Sequence, residues 1–530
     1  MGDSPQQNSL QKMRVMVFGF HSKMMTEVIQ ELRSRSIEVV YWTAGKHDFM
    51  STVFGRSDLF PGTFFHNTND AILGIPAEGV DTSCFVPLGE ALIQKFRECE
   101  VRSLIMMESI DRTEVPLMKK THLYHTYLKY WYGVFTTLKP DAVLFYDVPH
   151  LSFKYVAYCV AKYLGVKQLI LRNARISGRV FITDDFTDYK NLREKLESYR
   201  DRRFTLADLS PDVKDHYEKK RNTEKSPFFF RKEYTDKKAH GLSRFLPRAE
   251  AVFKNARNGT LLKTTYHYLL MLFLKNDVPS LEKLKTPVWK LKLQEKRWHE
   301  IKGEFKNEYL RHHVAPDYSK KYVYVPLQRQ PERSTLSEGG VFIDQILMID
   351  ILSHALPKDW VIYVKENYTQ WILPRTHVGR FRGYTQEIVE KKNVRVIPAD
   401  TSTFRLTENA QAVATVTGTV AWEAAVRGKP ALVFGYMCFM YCDGVFRVHD
   451  AASAKTAFEK IQAGYLPDQQ KIVNFLKAFE ETTVRGYLDV RFRDKDDANI
   501  TFIKNDEENT KSISEGFYKE LMRNRQIRAR

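Results

Sequence analysis

Cysteine is scarce in this chain: five among 530 residues, an odd number, and far apart except for Cys438 and Cys442. Such usage gives no disulfide framework, and a reducing compartment is the expectation. Cys438 and Cys442 lack the second pair or the nearby histidines of a metal site, so buried thiols are expected there. Long apolar runs are also missing. The longest, YLLMLFL over residues 268–274, is far too short to span a bilayer. The opening MGDSPQQNSLQK shows no secretory signal, and Gln6 stands where a myristoylation pattern needs Ser or Thr. No GxxxxGK[ST], HExxH or GxSxG occurs, and neither repeats nor low-complexity tracts are evident. Acidic residues are outnumbered, 64 against 82 basic ones, which leaves a net charge of +18 and suits anionic partners.

What is present is an organising stretch over residues 412–435, AVATVTGTVAWEAAVRGKPALVFG. Residues 413–416 are β-branched and apolar, as in a strand covered on both faces. Thr417, Gly418 and Thr419 turn the chain, residues 420–426 are helical, and Gly428 with Pro430 ends that helix before the next strand. A hydroxyl-rich turn opening a helix presents free N–H groups to a phosphate, with Glu423 one turn on for sugar hydroxyls. An ordinary βαβ crossover, with Glu423 on a solvated face, fits the same stretch equally well.

The rest of the chain divides by texture. Residues 1–12 read as a disordered leader. Residues 13–184 read as a doubly wound α/β domain that opens with strand RVMVFG, a helix and a second strand. Gly19-Phe20-His21-Ser22 at the first strand's end is no GxGxxG. Asp147 and His150 follow the buried strand of residues 142–146, where such sheets place their chemistry; helix capping by Asp147 and packing by His150 is the alternative. Glu108 and Asp111, near a break at Pro116, read more simply as a salt bridge with Arg112. Residues 185–318 form a basic helical insertion without convincing strands; residues 201–320 hold 27 Lys and Arg against 16 Asp and Glu, a surplus of 11. SPFFFRKEY and LLKTTYHYLLMLFLK, within residues 226–275, suit a peripheral membrane contact or, more commonly, packing onto the core.

Residues 319–465 read as a second α/β unit. Its strand ends gather Gln328, Arg333, Lys365, Asn367 and the turn of Thr417, Gly418 and Thr419 into one nucleotide-ready crevice. After Gly444 the chain reads as mainly helical, with residues 466–530 a helical segment and tail. Asp494-Lys495-Asp496 there is a solvated charge run rather than a metal motif.

In combination, VPLQRQPERSTLSEGGVFIDQ, WVIYVKEN and VTGTVAWEAAVRGKPALVFG resemble the capsule polysaccharide biosynthesis family, which includes Kdo transferases using a CMP-activated sugar. MMESIDR, KPDAVLFYDVPH and YVAYCVAKYLGVKQLIL look like the same group. The resemblance implies two Rossmann-like domains in a GT-B arrangement, with the N-terminal one on the acceptor side. It further implies that Lys365, Thr417, Gly418 and Thr419 face the donor phosphate with Glu423 nearby, and that Asp147, Glu108 or Asp111 lies near the anomeric carbon. Relatives commonly show Lys-Glu-His-Pro where this chain has Lys365-Glu366-Asn367-Tyr368, so an uncharged amide replaces an imidazole.

The expectation is a glycosyltransferase, hexosyl or Kdo-type, that needs no metal or other cofactor. It would move a sugar from a nucleotide donor to a capsule-type glycan or lipid-linked acceptor, in the cytoplasm and in association with the membrane. An epimerase or hydrolase of sugar nucleotides on the same scaffold is the alternative. A non-catalytic basic scaffold of polysaccharide assembly ranks below both, and nucleic acid is not an expected partner, for want of a recognisable motif.

Overall fold

Short apolar strands whose residues cannot be satisfied by one-sided burial dictate helices on both faces of a sheet, and the chain builds two such sheets, one mostly and one wholly parallel. The computed structural model describes residues 12–45, 58–222, 275–488 and 503–523, apart from the single positions 177, 279, 283 and 504. In the first sheet β1 (Met13–Phe18), β2 (Ile37–Ala44), β3 (Phe64–Asn67), β4 (Ala142–Phe145) and β5 (Lys167–Asn173) are parallel, and β6 (Arg179–Thr183) pairs antiparallel with β5. β7 (Lys275–Val278) and β8 (Leu284–Pro287) form a separate antiparallel pair. The second sheet is wholly parallel: β9 (Lys321–Pro326), β10 (Trp360–Lys365), β11 (Val394–Val396), β12 (Ala412–Thr415), β13 (Ala431–Val433) and β14 (Val445–Arg447). Finally β15 (Val484–Arg485) returns to the first sheet and pairs antiparallel with β6.

The strand orders are β15-β6-β5-β4-β1-β2-β3 and β11-β10-β9-β12-β13-β14. Each sheet therefore winds outward in both directions from one central pair, β1 with β4 and β9 with β12. These are two Rossmann-like domains in a GT-B arrangement, with further helices inserted between them.

Helix ends follow local chemistry. Ser22 caps Lys23–Ser34 by accepting from Met25 N, and Gly428, at φ +75°, closes Val420–Val426. The far end of the chain completes the first domain. Asp506–Arg523 lies on Lys23–Ser34 and inserts Ile513, Phe517 and Leu521 into the core beside Met25, Val28 and Leu32. The helices Lys190–Glu197 and Pro211–Asn222 belong to the other side. Leu192, Val213 and Tyr217 share a core with Trp422, Phe439, Phe475 and Phe479.

One expectation needs correction. The insertion contains the β7–β8 pair, whose sequences KNDV and LKTP lack apolar alternation because backbone bonds alone can hold such a ladder. The described region after Gly444 is mainly helical as expected, and its strands β14 and β15, of three and two residues, are too short to show a period. β3 and β6 also escaped the periodic reading. Residues 1–11, most of 226–275 and the Asp494-Lys495-Asp496 run lie outside the described residues. Among the described residues no helix is long and apolar enough to cross a membrane.

One buried arginine ties the C-terminal return to the rest. Arg179 on β6 donates to Asp212 (2.5 and 3.2 Å), Ser210 Oγ (2.9 Å), the Glu480 carbonyl (3.0 Å) and Thr483 Oγ1 (3.1 Å). Arg179→Ala leaves the buried Asp212 carboxylate without its cation. The expected loss is about 3–5 kcal/mol in denaturant unfolding; a change below about 1 kcal/mol contradicts this role.

Candidate functional site

In a doubly wound sheet the loops at a switch point diverge and leave a crevice at the carboxyl ends of the strands. The first crevice lies between the β1 loop, starting at Gly19, and the β4 loop that carries Asp147 and His150. The second lies between the β9 loop, with Gln328 and Arg333, and the β12 turn of Thr417, Gly418 and Thr419. The two crevices face each other. Arg333 Nη1 donates to both carboxylate oxygens of Asp147 at 2.5 and 2.6 Å, and Ser337 Oγ donates to the Pro149 carbonyl. A second ion pair lies beside the first: Arg172, at the end of β5, donates to Glu338 at 2.5 Å. Their side chains are only 2% and 8% exposed, and the Arg172 guanidinium lies 4.1 Å from the Tyr189 ring centroid.

These pairs set the protonation states. Burial alone would raise the pKa of Asp147, but Arg333 and His150 outweigh it and hold the carboxyl below its ordinary range. Glu338 is likewise lowered, with burial overcome by Arg172, Arg333 and Arg175. Burial pulls His150 down despite Asp147, so its ring is neutral at pH 7, with Nδ1 2.9 Å from the Val148 carbonyl. Asp147 does not cap the helix Ser152–Tyr163, whose start has no side-chain cap; its Oδ1 accepts from Val148 N instead.

The C-terminal candidates divide into two groups. Gln328 and Thr417 are joined: Thr417 N donates to Gln328 Oε1 (2.8 Å) and Gln328 Nε2 to Thr417 Oγ1 (2.9 Å). Thr417 Oγ1 also lies 3.0 Å from the Ser334 carbonyl, which ties the turn to the helix starting at Arg333. The close approach at Gly418 is to its own chain, because a Cβ there would sit 2.7 Å from Thr415 Oγ1. Thr419 begins Val420–Val426 without a capping side-chain bond.

Lys365 and Glu423 belong to the second group. Lys365 Nζ donates to the Thr401 carbonyl (2.9 Å) and Thr403 Oγ1 (2.6 Å), 5.7 Å from the Tyr324 ring centroid. Burial lowers its pKa to about 8, with Asp400 opposing. Glu423 accepts from Lys220 at 2.9 Å rather than lying on a solvated face. Asn367 Oδ1 accepts from Thr369 N and Oγ1 in a local turn. Its neighbour Glu366 forms a buried two-bond pair with Arg380 (2.8 and 2.9 Å), which also donates to Gln330 Oε1.

Glu108 and Asp111 form a separate knot. Both carboxylates pair with Lys120, not Arg112, and Asp111 also accepts from Thr113 N and Val115 N at 2.8 Å. Their backbone carbonyls accept from Arg375 Nη2, so this knot joins the two domains through the main chain.

The sequence reading missed Arg172, Glu338 and Lys154. The first two are lone charges in apolar or small-residue surroundings, LILRN and STLSEGG, and that isolation was the available signal. Lys154 is the first of two lysines in SFKYVAYCVAK, four residues after His150. Cys438 and Cys442 are free and buried, and burial pushes the Cys438 thiol up to about 12. Among the described residues no group of three His, Cys, Asp or Glu could hold a metal ion.

A buried lysine with a lowered pKa favours its neutral form when folded. The penalty for keeping Lys365 charged is full below pH 8 and is relieved as pH rises from about 8 toward its unfolded value. Lys365→Met is therefore expected to reduce the stability gained between pH 7 and pH 9.5 in denaturant titrations. An unchanged gain would show that the ammonium is not penalised. Arg333→Ala is expected to raise the Asp147 pKa, because burial then loses the largest of the effects that oppose it, while His150 and the Val148 N–H remain; carboxyl-labelled NMR titration reads the sign directly.

No family model matches the chain, and neither does any curated protein. Similar solved structures include two Thermosulfurimonas dismutans KpsC Kdo transferases. The β-Kdo 2,7 transferase is 10% identical over 67% of this chain and 81% of its own, at a TM-score of 0.28. The β-Kdo 2,4 transferase is 12% identical over 64% and 79%, at 0.27. A UDP-GlcNAc 2-epimerase from Neisseria meningitidis is 13% identical over 96% and 99%, at 0.22.

Proposed function

We propose that the protein is a glycosyltransferase that moves a sugar from a nucleotide-activated donor, CMP-linked in the leading version, to a glycan or lipid-linked acceptor. The observation that supports this most is the Arg333–Asp147 pair, which joins the loops of two facing switch-point crevices. Transfer needs an ionised carboxylate near the reacting carbon and a fixed cation near the departing phosphate, and here each currently satisfies the other.

In this reading an incoming donor phosphate takes Arg333 from Asp147. The guanidinium then stabilises leaving-group charge, and Asp147, released in its ionised form, acts as base in an inverting reaction or as nucleophile in a retaining one. Neutral His150 orients the carboxylate or carries its proton. Lys365 uses two of its three ammonium donors on Thr401 and Thr403, which leaves one for a phosphate oxygen. The Gln328–Thr417 bonds fix the turn against which the nucleotide lies. No step in this scheme requires a metal.

The test combines a thermal-shift screen of CMP, UDP and GDP with labelled-donor assays on variants. Asp147→Asn and Arg333→Ala are each expected to lower transfer by about 10²-fold or more with the fold intact, and Lys365→Ala to lower it strongly. Wild-type turnover in all three would overturn the proposal. Conversion of the donor without any acceptor would favour the epimerase or hydrolase reading.

A further inference from the structure

Three arginines act on one carboxylate at the facing crevices, and the scheme above uses only one of them. Burial pushes the Glu338 carboxyl up, and Arg172, Arg333 and Arg175 outweigh it. Arg172 is bonded to Glu338 and Arg333 to Asp147, so two cations are met by two acids. Arg175 is left over. It is exposed, and its guanidinium has no hydrogen-bond or ion-pair partner among the described residues. The hairpin between β5 and β6 explains its position. Ala174 and Ile176, on either side, are buried and share a core with Met437, Cys438 and Phe439 of the second domain. The tip of the first domain thus reaches the second, and the residue between the two buried ones faces out. Its backbone is left-handed, at φ +64°, and its N–H donates to Asn173 Oδ1 at 2.7 Å. The Arg175 charge acts on Tyr189 and Cys438 as well as on Glu338, which places it beside the loop that follows the Arg333 helix.

From this we infer that Arg175 is a second phosphate contact, offered by the first domain to the donor nucleotide that Arg333 holds from the second. The assignment rests on the transferase reading, in which a donor phosphate takes Arg333 from Asp147. A phosphate on Arg333 lies near Glu338, five residues on, and so within the field of Arg175. Glu338 does not cancel that field, because Arg172 already neutralises it. A guanidinium matches phosphate oxygens bidentately, and Arg175, unlike Arg333, gives up no partner to do so.

Calorimetry on the full chain measures the affinity of CMP, UDP and GDP for wild type, Arg175→Ala and Arg175→Lys, with cytidine, uridine and guanosine as uncharged counterparts. Alanine meets the same left-handed backbone as arginine, so the turn is not put at further risk, and denaturant unfolding checks this. The tightest nucleotide is expected to bind Arg175→Ala about tenfold more weakly than wild type, and Arg175→Lys to recover part of the loss. The matching nucleoside is expected to bind all three proteins alike. Equal nucleotide affinity in wild type and Arg175→Ala overturns the assignment and leaves the transferase reading standing. Equal weakening of nucleotide and nucleoside, or a loss of unfolding stability that Arg175→Lys does not recover, shows a structural role and also overturns it. No nucleotide binding by wild type removes the transferase reading and the assignment together.

Discussion

Two ion pairs side by side, Arg333 with Asp147 and Arg172 with Glu338, hold the two sheets of this protein face to face. Each pair has one member from either domain, and Arg172–Glu338 is almost wholly removed from water. Buried pairs are poor sources of net stability, because desolvation consumes most of the Coulombic gain, but breaking one is expensive. Such an arrangement specifies a relative placement of domains more than it strengthens either of them. It also lowers the pKa of both carboxylates, against the upward push of their burial.

The scaffold behind these pairs is built to be stiff. The Glu366–Arg380 pair and the amides of Gln328, Gln330, Gln345 and Gln370 bond to one another and to main chain beneath the β9 loop. On the other side, Tyr309 reaches the Ile397 carbonyl and Glu366 N, so the long helix Val288–His312 braces the same floor. A fully bonded polar layer of this kind has one low-energy arrangement, which suits a site that must present fixed charges. The C-terminal return through β15 and Asp506–Arg523 adds a covalent connection between the domains at the opposite edge of the first sheet.

The sequence disclosed the architecture well where apolar periodicity was long. The strands β1, β2, β4, β5, β9, β10, β11, β12 and β13 follow from apolar, largely β-branched runs, and the helix Val420–Val426 with its glycine stop was legible to the residue. The edge strands β3, β14 and β15 were not, since two to four residues carry little period. The site was legible as a set of loops but not as a set of partners. Asp147 and Arg333 stand at the ends of strands far apart in the chain, and nothing local says that one neutralises the other. Glu423 and Asp111 looked equally suited to chemistry. Their partners Lys220 and Lys120, which make them structural, are visible only after folding. Thr417 shows the same limit, because its hydroxyl suggested a phosphate whereas its fold gives it Gln328 and Ser334.

The surplus of basic residues takes on a different meaning in this light. Among the described residues, Lys220 of the insertion is met by Glu423 of the second domain, and Arg333 and Arg172 at the facing crevices are met by Asp147 and Glu338. Local charge balance at the strand ends, more than the net +18, is what a negatively charged substrate would encounter.

The exchange of partners at Arg333 is tested most directly by a crystal structure of the chain with the nucleotide that gives the largest thermal shift. The account predicts the phosphate bonded to the Arg333 guanidinium, with the Asp147 carboxylate released toward the first crevice. A nucleotide bound elsewhere, with the Arg333–Asp147 bonds intact, would contradict it.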